Sequence, residues 1–103
     1  MSELSVVARR LKEARLRAGM SQGKLGILAG MDKFSASARI SQYEHGKHMP
    51  DLQTLTRLAN VLKTPVPYFY CEDPELAVAI LRFSEMSKAQ RRKLLKLLDW
   101  KTS

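Results

Sequence analysis

The sequence predicts an all-α fold, on three observations. Apolar residues recur at three- and four-residue spacing through most of the chain. Ser21, Asp51, Asp73 and Ser87 stand just before such runs as N-caps, and Gly19, Gly30 and Gly46 stand just after others as stops. With 103 residues and 45% hydrophobic content, the chain is one small domain with an appendage, and it has enough apolar material for a core.

The first helix is expected over residues 3–18. Leu4, Val7, Leu11, Ala14 and Ala18 form its apolar stripe, with Arg9, Arg10, Lys12, Glu13 and Arg17 mostly outside it. Arg15 breaks the pattern by falling within the stripe. After Gly19, Ser21 caps a short helix from Gln22 to Ala29, ended by Gly30. Gly26 fits there if another backbone crosses closely; Gly23 has no such explanation from sequence. Ile27 and Leu28 make this helix apolar on more than one side, and Phe34 is expected to pack on one of them, the alternative being an exposed ring. Asp32 and Ser35 compete as caps for the third helix.

That third helix puts Ala36, Ile40, Tyr43 and Glu44 on one face, with Ser37, Ala38, Ser41 and Gln42 largely outward. An exposed face that is short and polar, not long and charged, suits contact with the floor of a groove. Asp51 caps a fourth helix with Leu52, Leu55, Leu58, Ala59 and Leu62 toward the core. Pro65 opens a very short fifth helix, whose Tyr68, Phe69 and Tyr70 read as a lid on that core. Glu72-Asp73-Pro74 marks the one boundary. Beyond it Asp73 and Pro74 start a helix to about Met86, with Leu76, Ile80 and Phe83 aligned. Ser87-Lys88-Ala89-Gln90 fits a capping box for the last helix, which sets Leu94, Leu95, Leu97 and Leu98 against Arg91, Arg92, Lys93 and Lys96.

The net charge of +8 favours a polyanionic partner and is unevenly spread. Residues 1–24 carry +4, 25–50 +1, 51–75 −2 and 76–103 +5. The single cysteine, Cys71, cannot form an intramolecular disulfide and reads as a small core filler. No signal peptide or membrane-spanning run is evident, so the chain reads as soluble and cytoplasmic, with no membrane partner.

Leu11-x3-Arg15-x3-Gly19-x-Ser21-Gln22-x2-Leu25, Gly30, Ile40-Ser41-x-Tyr43-Glu44-x-Gly46-Lys47, Pro50-x-Leu52-x2-Leu55-x2-Leu58-Ala59 and Tyr68-Phe69 follow one another in order. Together they resemble the helix-turn-helix domain of the Cro and lambda-repressor (XRE) type over somewhat more than half the chain. The resemblance implies a five-helix lambda-repressor-like DNA-binding domain at residues 1–72. Residues 73–103 would then add a C-terminal helical hairpin serving as a dimerisation element. It also implies that Arg15 and Glu44 contact each other as a structural ion pair, and that the residue at Gln22 binds phosphate or base. Two departures stand out. Gly26 replaces the usual alanine, and residues 30–40 hold about four residues more than the family's usual turn, close to one helical turn. The surplus either extends the recognition helix or bulges from residues 30–36.

The base-reading candidates are Ser37, Ala38, Arg39, Ser41 and Gln42. Gln pairs bidentately with adenine and Arg with guanine, Ser bonds either, and Ala meets a thymine methyl. Arg39 reaches either a base or a phosphate. Gln22, Lys24, Lys33, Ser35, Lys47 and His48 are candidates for backbone contacts, which position a protein without reading sequence. Taken one at a time, each of these is an ordinary surface residue; the ordered set favours DNA. His45 and His48 lack a third ligand at metal-binding spacing, so neither a metal nor any other cofactor is expected. No nucleophile–base set, phosphate loop or carboxylate cluster supports an enzyme, and Asp32 and Glu44 do not make a plausible pair. The expected function is a sequence-specific transcriptional regulator, a homodimer on a two-fold double-stranded DNA operator. The alternative is a protein-interaction module or antitoxin-like regulator that engages a protein partner through residues 73–103.

Overall fold

The computed structural model describes residues 5–99, all of whose regular elements are helices. They are α1 (Val6–Arg17), α2 (Gln22–Leu28), α3 (Ala36–Glu44), α4 (Leu52–Leu62), α5 (Val66–Tyr70), α6 (Pro74–Glu85) and α7 (Lys88–Leu97). Their starts follow local chemistry. Side-chain oxygens of Ser5, Ser21, Asp51, Asp73 and Ser87 each accept an amide of the first turn, satisfying donors that a helix start leaves open. At Ser87 the capping box is complete: the Gln90 amide donates to its Oγ at 3.2 Å, and its own amide donates to Gln90 Oε1 at 2.9 Å.

The largest wholly enclosed side chains are Leu11, Leu25, Ile40, Leu55, Leu58 and Phe69, drawn from α1 to α5 in turn. Around them α3 lies across α2, α1 spans α3 and α5, and α4 closes the far side against α2 and α5. The tightest approach is between α2 and α3. A Cβ placed on Gly26 would stand 2.7 Å from Ala36 Cβ, which leaves room for no side chain. By contrast a Cβ on Gly23 would meet Ser37 Cβ at an ordinary 3.8 Å. Gly30, at φ 95°, reverses the chain after α2. Its own amide bonds Ile27 O and the Met31 amide returns to Gly26 O at 2.9 Å, which closes the helix end.

The structure corrects several expectations. Helix α1 begins at Val6, and Leu4 lies outside the described residues. Ala18 is exposed at the C-cap, and Arg10, expected outside the stripe, is buried. Leu52 is 63% exposed, because the buried face of α4 begins only at Leu55, one turn later. The recognition segment gains no extra helical turn. Instead Asp32–Ser35 forms a tight turn, with the Ser35 amide on Asp32 O at 3.1 Å, and α3 starts at Ala36. Phe34 packs on neither Ile27 nor Leu28; it is 87% exposed, with only the Lys33 ammonium near its ring, 5.3 Å from the centre.

Helix α6 is seated on α5, burying Ala77 and laying Ile80 and Leu81 against the same core, so the turn at residues 72–73 is not a gap in packing. Arg10 fastens that turn. Its Nε donates to Cys71 O at 2.9 Å, Nη2 to Glu72 O at 3.1 Å and Nη1 to Glu13 Oε1 at 2.8 Å. The Arg10 and Arg17 guanidinium groups flank the Tyr68 ring, and the Tyr68 hydroxyl donates to Glu13. Helix α7 buries none of its ten residues. Its attachment runs through Arg91, which donates to Phe83 O and Ser84 O and lies over the Phe83 ring.

Candidate nucleic-acid interface

Helix α3 has two unlike faces. Ala36, Ile40, Tyr43 and Glu44 are buried, while Ser37, Ala38, Arg39 and Gln42 are exposed and Ser41 is half-buried. The buried face is fixed by charge as well as by packing. Arg15 Nε donates to Glu44 Oε2 at 2.6 Å and Nη2 to Glu44 Oε1 at 3.0 Å. Its Nη1 donates to Met20 O, so the guanidinium also braces the α1–α2 connection. Gln22 completes the network by donating to Glu44 Oε1 at 3.1 Å. The hydrogen bond to Glu44 raises the Arg15 pKa above its ordinary value, against the opposing effect of burial. Three segments far apart in sequence (α1, the start of α2, the end of α3) are thereby locked together, and the outward face of α3 is held in one orientation.

The outward face carries its own local order. Arg39 Nη2 donates to the Tyr43 hydroxyl at 3.2 Å, one turn along the helix. His45 Nδ1 lies 2.8 Å from Ser41 O and 3.3 Å from Ser41 Oγ, one turn back along the helix. Ser41, Gln42, His45 and Lys47 line an open cleft of about 260 Å³ at the C-terminal end of α3. Lys47 follows Gly46, whose φ of 76° turns the chain out of the helix. The side chains of Lys24, Lys33, Lys47 and His48 are all exposed, so lysines stand in the turn before α3 and in the loop after it.

Some candidate residues are engaged differently from the sequence expectation. The Gln22 amide nitrogen points inward to Glu44, and Ser35 Oγ turns back on Asp32 O at 3.4 Å without capping α3. Sequence reasoning missed Tyr43 and His45 as partners of Arg39 and Ser41. The i,i+4 spacing of both pairs was the available signal. For Phe34 the packed position was the expectation and an exposed ring the alternative, and the structure shows the alternative.

Among the described residues no three His, Cys, Asp or Glu side chains converge as metal ligands, and no helix is long and apolar enough to cross a membrane.

Residues 6–67 match the family described as helix-turn-helix domain. The structure resembles that of the transcriptional regulator BswR, with a TM-score of 0.86 and 46% sequence identity; the match covers 90% of this chain and 92% of that one. No curated protein sequence matches.

Proposed function

Since the chain belongs to the helix-turn-helix domain family, we propose that it is a sequence-specific double-stranded DNA-binding transcriptional regulator of the Cro and lambda-repressor branch, with α3 as its recognition helix. The observation that carries this reading is the contrast between the faces of α3. One is pinned by the Arg15–Glu44–Gln22 network, and the other offers short polar side chains without a covering element. A rigid helix bearing Ser37, Ala38, Arg39, Ser41 and Gln42 can be laid against base edges at little entropic cost. Lys24, Lys33, Lys47 and His48 stand around it to hold phosphates, with Ser35 and the start of α2 at Gln22 as nearby backbone contacts. The resemblance to a transcriptional regulator at 46% identity supports the same assignment.

Selection of bound DNA from a random pool, followed by affinity measurements over a salt series, tests it. Gln42→Ala should lose roughly 1–3 kcal/mol on the selected sequence and little on random DNA. Lys47→Ala should weaken binding to all sequences and reduce the salt slope by about one unit. A chain that enriches no sequence from the pool refutes the reading.

We also propose a homodimer formed through residues 73–103. Leu97, at 81% exposure, and Leu98 lie bare at the C-terminal end of α7, while Leu76 and Val78 are half-exposed on α6. A two-fold arrangement would set the two copies of α3 roughly 34–36 Å apart, on successive major grooves. The same bare surface is where a different protein partner would dock, and a hetero-complex in place of a dimer would identify the chain as antitoxin-like.

A further inference from the structure

We infer that Phe34 is a base-reading residue that contacts the C5 methyl group of a thymine in the operator; the inference rests on α3 being the recognition helix. Phe34 is 87% exposed, the most exposed of the large hydrophobic side chains among the described residues. The ring is not on a frayed segment. Asp32 Oδ2 accepts the Phe34 amide at 3.0 Å, and Asp32 O accepts the Ser35 amide at 3.1 Å, so the backbone is tied on both sides of the ring. Two residues later α3 begins with Ala36, which is fully buried over Gly26. The turn is thus anchored to the recognition helix and holds the ring at its N-terminal end. That is the end of a recognition helix whose residues meet base edges in the major groove. The thymine methyl is the most prominent apolar group that the major groove offers to such a ring, amid hydrogen-bond donors and acceptors. Lys33 lies over the ring, its ammonium 5.3 Å from the centre, so the ring carries a cation toward a polyanionic duplex.

The test uses the full chain and the DNA sequence it selects. Wild type, Phe34→Leu and Phe34→Ala are titrated against that operator and against copies in which each thymine in turn is replaced by dU. Phe34→Ala should melt with the wild type, since the ring contributes no packing. On the thymine operator it should bind roughly ten- to a hundredfold more weakly, the range expected for leaving a Phe side chain unburied. At one thymine per half-site, dU should weaken the wild type about fourfold, the worth of one buried methyl, and leave Phe34→Ala unchanged. Phe34→Leu should keep part of the affinity and of the dU sensitivity. The inference is overturned if Phe34→Ala binds the operator like the wild type, as it would if the ring served a protein partner. It is equally overturned if the loss is uniform across operator and random DNA with no shared dU-sensitive position, as for a ring lying on the sugar-phosphate chain. A wild type that selects no sequence brings down the regulator reading itself. Selection by the wild type alongside an indifferent Phe34→Ala brings down only this inference.

Discussion

Replacing Glu44 with alanine removes the acceptor of three hydrogen bonds in a part of the protein that water barely reaches. Arg15 and Glu44 are 8% and 3% exposed, and Glu44 takes bonds of 2.6 and 3.0 Å from Arg15 and 3.1 Å from Gln22. Without it the guanidinium keeps only Met20 O, and its charge stays buried beside an apolar core. Breaking a buried pair in this way costs roughly 3–5 kcal/mol, because the surviving charge is uncompensated. Arg15 retains one carbonyl, which places the expected loss toward about 3 kcal/mol. A domain of this size has about a third of its stability in that figure, and the melting temperature should fall by more than about 10 °C. Thermal and urea unfolding followed by circular dichroism measure it directly. Arg15→Ala should cost a comparable amount, and the double replacement by apolar residues should recover much of the loss, because no lone charge remains. A Glu44→Ala chain that melts within error of wild type would show that the pair is not stabilising and that α3 is held by packing alone.

Other consequences of the structure are open to equally direct measurement. Gly26→Ala forces a Cβ to within 2.7 Å of Ala36 Cβ and should destabilise by roughly 1–3 kcal/mol. Gly23→Ala meets only Ser37 Cβ at 3.8 Å and should stabilise by up to about 1 kcal/mol through helix propensity, so equal effects at the two sites would contradict the close crossing of α2 and α3. Burial alone would raise the Glu13 pKa, but hydrogen bonds from Arg10 and Tyr68 outweigh it and hold the carboxyl below its ordinary value. A folded-state pKa below the unfolded one adds stability that is complete above the ordinary carboxylate range and is lost as pH falls through the folded value. Acid titration of the melting temperature should therefore be shallower in Glu13→Gln, and an unchanged slope would remove Glu13 from the account. Leu97→Glu together with Leu98→Glu should convert a sedimenting dimer to monomer without unfolding it, since both side chains are largely exposed; persistence of the dimer would remove this end of the hairpin from the interface.

Much of the fold follows from local rules. The caps at Ser21, Asp51, Asp73 and Ser87, the stops at Gly19, Gly30 and Gly46, and the buried quartet of α3 all depend on residues within one or two turns of each other. Such contacts are written in spacing, so these caps and stops, and the side of α3 that faces the core, were legible in the sequence, whereas the start of α3 between Asp32 and Ser35 was not. Gly26 was also legible, as a residue small enough for a crossing chain. What spacing could not supply was the partner at a distance. Arg10 reads as a surface residue until folding brings the Cys71 and Glu72 carbonyls, 61 and 62 positions away, within hydrogen-bond reach of it. Leu52 continues an apolar stripe, yet the buried face of α4 begins only at Leu55. Phe34 stands near Ile27 and Leu28 in the chain, but Ala36 occupies the space over Gly26 and the turn at Asp32 directs the ring outward. Periodicity records which side of its own helix a residue occupies. The length of the neighbouring helices, and the carbonyls they bring close, exist only once the chain has packed, and the tertiary structure alone decided those.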